Sequence, residues 1–140
     1  MSAPERPQAK PERLPAVRSY RDLKVWQVGM DLVVESYHLA KRLPRTEQYG
    51  LVSQIRRSAL SIPSNIAEGH GRDHLGDYLR HLSFANGSLM ELETEILASV
   101  RLGYLEDAIA KPVLAMTAQL GRMMTGLSRA LRARSLKHGT

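Results

Sequence analysis

Apolar side chains recur at alternating steps of three and four residues along most of the chain, which is the spacing of one face of an α-helix. Pro44, the pair Gly69 and Gly71, and Gly103 separate four such stripes. In chain order the stripes consist of Trp26, Met30, Val33, Tyr37 and Ala40; Val52, Ile55, Ala59, Ile62 and Ile66; Tyr78, Leu82, Ala85, Leu89, Leu92, Ile96 and Ser99; and Ile109, Val113, Met116, Leu120, Met123, Leu127 and Ala130. No segment shows sustained period-two alternation, so the pattern predicts an all-α chain of four amphipathic helices.

The predicted helices are joined by short connections, and their apolar repeat is about 3.5 residues. These features predict an antiparallel four-helix bundle, because short connections make consecutive helices run side by side in opposite directions. Residues 1–18 are rich in proline and charge and have little to bury, so we expect a flexible tail there. The predicted bundle covers residues 19–134, and residues 135–140 are expected to form a frayed C-terminal tail.

The ends of the predicted helices carry ordinary signals. Asp22 and Asp73 are expected to be N-caps of the first and third helices. Gly103 is expected to stop the third helix, because glycine adopts the left-handed conformation common just after a helix.

The least ordinary segment is SIPSNIAEGHGR, residues 61–72, because a proline lies inside a helical pattern. Ile62 and Ile66 keep the phase of the apolar stripe on both sides of Pro63. The second helix is therefore predicted to run through Pro63 with a kink, since proline lacks the N–H for the carbonyl four residues earlier and its ring crowds that carbonyl.

The same segment carries a polar stripe that predicts a structural network. Its expected members share helical spacing and short polar or charged side chains: Ser61, Ser64, Asn65 and Glu68. A buried carboxylate needs a partner, so Glu68 is expected to pair with Arg56, Arg57 or Arg72. A phosphate-binding loop is disfavoured, because its glycines precede a helix, whereas Gly69 and Gly71 follow one.

Three long motifs resemble a known family. They are YRDLKVWQVGMDLV at 20–33, YGLVSQIRRSALSIPSNIAEGHGR at 49–72 and ANGSLMELETEILASVRLGYL at 85–105. They resemble the four-helix bundle proteins encoded in intervening sequences of bacterial 23S rRNA genes. The resemblance implies a ring-like homopentamer. It also implies kinship with the accessory variability protein of diversity-generating retroelements, a basic pentamer that engages nucleic acid and a reverse transcriptase.

The charge balance is compatible with a polyanionic partner, and equally with a solvated basic surface that meets an acidic helix of a neighbouring subunit. The net charge is +6 and the pI is about 10.0. The leading hypothesis is non-catalytic, nonspecific binding of DNA or RNA, because phosphate contacts from lysine and arginine supply affinity without reading sequence. The candidate residues are the clustered cations Lys41, Arg42, Arg45, Arg56, Arg57, Arg72, Arg122, Arg129, Arg132 and Arg134. Aromatic residues make up only 5% of the chain, which argues against sequence-specific readout of single strands.

A protein–protein scaffold without nucleic-acid binding is the alternative function. The segment GSLMELETE, residues 87–95, places Glu91, Glu93 and Glu95 around apolar stripe positions. Such a helix can bury one face in its own bundle and offer another to a basic partner such as a reverse transcriptase, or to a neighbouring subunit.

An enzyme is the third class, and neither catalysis, metal nor other cofactor is expected. His70 and His74 have the spacing of a helical metal pair, but Gly71 and a predicted helix break lie between them. Arg132 and His138 resemble the Arg-x(4–6)-His pair of HEPN ribonucleases, although Ala133 replaces the polar residue that usually follows the arginine. HEPN-like cleavage is therefore kept only as a distant alternative.

Cysteine is absent, and no run of about 18 apolar residues is present. The first fifteen residues also lack the apolar stretch of a secretory signal. These features predict a cytoplasmic protein with no disulfide and no membrane partner.

Overall fold

In a computed structural model, residues 18–138 are described, with side chains through residue 136, and they form helices without any strand. The helices are α1 Lys24–Ala40, α2 Leu51–His70, α3 Leu75–Arg101 and α4 Asp107–His138, with single 3₁₀ turns at Tyr20–Asp22 and Arg45–Glu47. The all-α prediction is confirmed for this part of the chain. The predicted tail, residues 1–18, lies outside it apart from its last residue, and α4 runs through the predicted boundary at 134.

The helices pack in chain order: α1 against α2, α2 against α3, α3 against α4, and α4 back against α1. Short connections give neighbours opposite directions, so the four helices close into a bundle. We call the end with the α1–α2 and α3–α4 connections the base, and the end with the α2–α3 connection the crown. None of the described helices is long and apolar enough to cross a membrane.

The apolar stripes predicted for α2 and α3 form the centre of the core. The α2 residues from Val52 to Ile66 in that stripe are at most 6% exposed. In α3 every predicted stripe residue is buried except Tyr78, which is half-buried. These two helices alternate large aliphatic side chains with alanine and serine, which lets them approach closely.

The stripe predicted for α1 is wrong by one position. The buried face consists of Val25, Gly29, Leu32, Ser36, Leu39 and Ala40, of which only Ala40 was predicted. Trp26, Val33 and Tyr37 are half-buried at the flank, and Met30 is 38% exposed. The small residues Gly29 and Ser36 on the buried face let α2 pack close to α1. The bulkier stripe beside them therefore lies at the side of the helix.

The stripe predicted for α4 is partly right. Val113 and Leu120 are buried, but Thr117 and Met124 take the positions expected for Met116 and Met123. The expected core residue Ala130 is exposed. A straight α-helix drifts relative to a strict seven-residue repeat, so a stripe drawn over three heptads loses phase at its ends.

The helix ends correct two predicted caps and confirm one stop. The N-cap of α1 is Leu23, not Asp22. Asp22 lies in the 3₁₀ turn before α1; Ser19 caps that turn, and Asp22 accepts a hydrogen bond from the Ser19 N–H, which completes a capping box. His74, not Asp73, is the N-cap of α3. Gly103 has φ +82°, and the N–H of Tyr104 donates to the Ser99 carbonyl at 2.9 Å, so α3 ends in a Schellman motif.

Helix α2 continues through Pro63 without a break, as predicted. Pro63 is buried opposite Gly29 of α1, where an added Cβ would lie 3.5 Å from the proline Cβ. This close packing offsets part of the backbone hydrogen bond that proline forfeits. The expected kink stays a prediction.

Candidate nucleic-acid interface

A polar network joins α2 to α3 at the SIPSNIAEGHGR segment. Asn65 Nδ2 donates to the carbonyl of Ser61 at 2.9 Å and to its hydroxyl at 3.0 Å. The Ser61 and Ser88 hydroxyls lie 2.8 Å apart, and Asn65 Oδ1 lies 3.2 Å from His81 Nδ1. Two of the four predicted members, Ser61 and Asn65, therefore hydrogen-bond across the α2–α3 interface, which supports an architectural role.

Glu68 lies at the outer edge of this network. Arg72 Nη2 donates to Glu68 Oε1 at 2.8 Å, which is one of the three pairings predicted for this carboxylate. The Glu68 side chain is 53% exposed, so water also solvates this carboxylate. His81 Nδ1 lies 4.0 Å from the other carboxylate oxygen. Ser64 is exposed and makes no hydrogen bond within the described residues, so it does not belong to the network.

His81 and Ser88 are network residues that the sequence did not reveal. His81 is only 9% exposed, and the His81 and Phe84 rings meet edge to face with centroids 5.6 Å apart. Their positions are polar interruptions beside the apolar stripe of α3. Such interruptions are equally common on solvated faces, so the sequence offered no distinguishing signal.

A second polar contact between α2 and α3 is less well satisfied. Ser58 Oγ donates to Glu95 Oε2 at 3.1 Å, while Glu95 Oε1 is buried without a hydrogen-bond partner in the described chain. Burial raises the pKa of Glu95, nearby Glu91 raises it further, and the bond from Ser58 opposes them. These groups line a cavity of about 280 Å³ together with Arg57.

The ten candidate cations fall into three groups. Lys41, Arg42 and Arg45 lie at the base. Arg56 and Arg57 follow on α2; the guanidinium of Arg56 lies 5.3 Å from the Tyr37 ring centroid, whereas Arg57 is exposed. The group on α4 and at the crown contains Arg72, Arg122, Arg129, Arg132 and Arg134. Within the described side chains, Arg72 alone among the ten forms an ion pair.

The α4 arginines line open cavities between α3 and α4. Arg122 and Arg129 border a cavity of about 550 Å³, and Arg129 continues with Arg132 into a neighbouring one of about 210 Å³. Uncharged polar side chains complete this groove: Ser83, Asn86, Thr125 and Ser128. Glu93 also reaches it, but its Oε2 accepts the Thr117 hydroxyl at 2.7 Å. The described lining of the groove therefore combines three arginines and several neutral polar side chains with one carboxylate, that of Glu93.

A cavity of about 390 Å³ at the crown brings Arg72 and Arg134 together with His70 and His74. The His70 ring meets Tyr78 edge to face at 5.8 Å, and burial raises the pKa of Tyr78. Nowhere in the described residues do three or more histidine, cysteine, aspartate or glutamate side chains form a group that could hold a metal ion.

The remaining catalytic candidate is the Arg132 and His138 pair. Arg132 is exposed on α4, and the backbone of α4 reaches His138, whose side chain lies outside the described ones. The pair thus stays a prediction.

Comparison with protein families gives a direct match over residues 21–126, to the model of the 23S rRNA-intervening sequence proteins. The chain belongs to this family. The matched span includes all of the described network residues and Arg122, and it ends before Arg129, Arg132 and Arg134. No curated protein matches the chain.

A solved relative shows the same fold. The crystal structure of a protein of unknown function from the S23 ribosomal protein family of Bacteroides thetaiotaomicron, at 1.70 Å resolution, aligns with a TM-score of 0.70. The two are 20% identical, and the alignment covers 74% of this intervening-sequence family chain and 97% of the other. At that identity the likeness establishes the bundle and leaves the function to the side chains.

Proposed function

We propose that the protein is a non-catalytic, basic, oligomeric accessory protein that binds DNA or RNA without sequence preference. The arginine groove between α3 and α4 supports this proposal most directly. Arg122, Arg129 and Arg132 are spaced by seven and three residues, so they share one face of α4. They span about 15 Å of helix at 1.5 Å per residue, which is enough to meet successive phosphates of one strand.

The chemistry of the groove suits a phosphate backbone. Its three guanidinium groups have no carboxylate partner within the described side chains, so their charge is available to an external anion. The neighbouring amide and hydroxyl groups can donate to phosphate oxygens. A binding mode of this kind depends on counterion release and is insensitive to base sequence.

The test is fluorescence anisotropy with duplex DNA and duplex RNA across a salt series. Replacing Arg122, Arg129 and Arg132 together by glutamine should weaken binding about tenfold or more at low salt. The slope of log affinity against log salt should fall by about one for each phosphate that the variant no longer neutralises. Binding that is absent, or independent of salt, would contradict the proposal.

A matched control removes the same charge elsewhere. Lys24, Arg101 and Lys111 are exposed cations outside the candidate set, and their triple glutamine variant has the same net charge as the groove variant. If the control loses as much affinity as the groove variant, net charge rather than the groove governs binding.

The proposal includes assembly into a homopentameric ring. Its support is the displaced apolar stripe of α1, where Met30 is 38% exposed and Val34 is 52% exposed. Half-buried Trp26, Val33 and Tyr37 extend the same flank. Aromatic residues and methionine are enriched at subunit interfaces, so this flank is the face we assign to contact with a neighbouring copy.

Light scattering tests the ring. Replacing Met30 and Val34 by glutamate should lower the molecular mass to that of the monomer, while Leu102→Glu, which alters an exposed leucine at the base, should leave it unchanged. A monomeric wild-type protein at micromolar concentration would contradict this part of the proposal.

The further elements of the proposal concern partners and compartment. An accessory role includes presenting bound nucleic acid to a reverse transcriptase or another protein in the cytoplasm. The scaffold alternative is favoured by the exposed apolar residues Met90 and Leu97 on α3, beside the acidic positions of that helix. Pull-down of a basic partner by a protein that retains no nucleic acid would support the scaffold instead.

A further inference from the structure

Tyr49 is the most exposed large apolar side chain in the described part of the chain. It is 93% exposed, which leaves both ring faces open to solvent. It lies in the connection between α1 and α2 at the base, far along the bundle from the arginine groove of α4.

The connection that carries Tyr49 is held by its own hydrogen bonds. The N–H groups of Glu47, Gln48 and Gly50 donate to carbonyls three residues earlier in the chain, at 2.9, 3.1 and 3.0 Å. Glu47 Oε1 accepts the N–H of Leu51 at 3.2 Å, and Glu47 Oε2 accepts the hydroxyl of Tyr104 at 3.0 Å. The bond to Glu47 raises the pKa of Tyr104. Tyr49 is therefore displayed outward by a fixed turn.

Three cations lie in the same connection of the chain as this tyrosine. Lys41, Arg42 and Arg45 are all exposed, and none has a carboxylate within ion-pair distance among the described side chains. The nearest acid in sequence, Glu47, is occupied by Leu51 and Tyr104. The base thus combines an open aromatic face with three cations that form no ion pair among the described side chains. Acidic residues lie at the same end: Glu35, which lines a cavity with Lys41 and Arg42, and Glu106 and Asp107.

We infer that the base is a stacking site for an unpaired nucleotide, with Tyr49 against the nucleobase and Lys41, Arg42 and Arg45 along the phosphates. Stacking on an aromatic ring beside cations binds single strands without reading their sequence, since every nucleobase has a π-face. The inference rests on the proposed nucleic-acid binding and adds to it a preference for single-stranded segments at one end of the bundle. The charge at the base favours this occupant over an apolar protein surface.

The experiment compares Tyr49→Ala with Tyr49→Phe on three probes: an oligodeoxyadenylate, an abasic oligomer with the same number of phosphates, and a duplex. Because the side chain is exposed, neither change should unfold the protein. Tyr49→Ala should weaken binding of the oligodeoxyadenylate about 5- to 150-fold, the range expected when one nucleobase no longer stacks on an aromatic ring. Tyr49→Phe keeps the ring and should bind like the wild type, and the abasic and duplex probes should not distinguish the variants.

The outcomes separate this inference from the broader proposal. If the wild type binds none of the probes at low salt, both fail. If it binds all three and Tyr49→Ala binds the oligodeoxyadenylate equally well, or loses affinity equally for the abasic oligomer, stacking is overturned while phosphate binding stands. A lower molecular mass of Tyr49→Ala in light scattering would instead make Tyr49 a subunit contact and overturn the inference.

Discussion

The α2–α3 pair and helix α4 show two different uses of the same kind of amphipathic helix. Between α2 and α3, buried aliphatic side chains alternate with small residues, and three side-chain hydrogen-bonded contacts cross the interface. Between α3 and α4 one side-chain hydrogen bond crosses, from Thr117 to Glu93, and arginines line two cavities of about 210 and 550 Å³; the cavity beside α2 and α3, which Arg57 lines, has about 280 Å³. The α2–α3 interface is therefore held together by close packing and hydrogen bonds. The α3–α4 interface, by comparison, exposes positively charged side chains.

The difference favours placing the proposed binding surface away from the most unusual sequence. SIPSNIAEGHGR is the segment that first suggests chemistry, yet its side chains Ser61 and Asn65 form hydrogen bonds that join α2 to α3. The α4 arginines lie in an ordinary-looking amphipathic helix, and their charge is left unpaired within the described side chains. We therefore base the proposed binding surface on this unpaired charge and not on the unusual segment.

Alanine substitutions at two glycines, Gly69 and Gly126, test this difference between the interfaces most directly. A Cβ at Gly69 would lie 2.7 Å from His81 Cβ and 3.2 Å from the Tyr78 carbonyl oxygen, so Gly69→Ala must push α3 away from α2. We expect a loss of about 2–3 kcal/mol in the free energy of unfolding, measured by urea denaturation.

The matched control is Gly126→Ala on α4, where an added Cβ meets nothing within 4 Å. Alanine favours helix over glycine, so this change should raise stability by about 0.5–1 kcal/mol. Opposite signs at the two sites support the contrast between a tight joint and an open face, whereas equal and small effects would refute it.

The polar network should respond next most strongly. Asn65→Ala removes the bonds to Ser61 and leaves His81 without its partner amide, so we expect a loss of about 1–2 kcal/mol by urea denaturation. Ser64→Ala, one residue earlier and exposed, should change stability by less than about 0.5 kcal/mol. A similar loss in both variants would mean that the network is not the cause.

The fold was largely predictable because the apolar stripes predicted for α2 and α3 lie on the faces that are buried. Helix α1 was not, because its core face includes Gly29 and Ser36, while the adjacent stripe contains Trp26, Met30 and Tyr37. Counting apolar bulk selects the larger side chains, but close helix packing selects the smaller ones. The periodicity of apolar residues predicts the number of helices. Which face of a helix is buried depends on the helix that packs against it.

The candidate site was predictable as a set of residue types but not as an arrangement. Sequence identified the cations and proposed Arg72 as a partner for Glu68, because i,i+4 spacing is visible in one dimension. The groove formed by Asn86 with Arg129, the contact of Asn65 with His81 and the exposure of Tyr49 all depend on tertiary placement. Local spacing carries no information on those distances.

A smaller effect is expected from the Ser58–Glu95 contact between α2 and α3, in which one carboxylate oxygen is buried without a partner in the described chain. Burial raises the pKa of Glu95 above its ordinary value of 4.5, so the folded state binds this proton more tightly than the unfolded state. Stability contributed by the protonated form is therefore present at low pH and is lost as pH rises above about 4.5 through the raised pKa.

The measurement is urea denaturation of the wild type and Glu95→Gln across this pH range. The wild type should lose stability relative to the variant as pH rises, by less than the loss expected for Asn65→Ala. Glu91→Gln should reduce this pH dependence, because the Glu91 charge also raises the pKa of Glu95. A stability difference that does not change with pH would contradict the assignment.

The smallest effect on the free energy of unfolding should come from Glu68, which lies at the outer edge of the polar network between α2 and α3. Its ion pair with Arg72 joins side chains that are 53% and 48% exposed, so water and salt screen it. Glu68→Gln should cost about 0.2–0.5 kcal/mol at low salt, as for other helical pairs with this spacing, and almost nothing at high salt. A loss above about 1 kcal/mol that persists in high salt would instead show that Glu68 belongs to the polar network with His81. The hydrogen-bonded interface between α2 and α3 would then extend one turn further along α2.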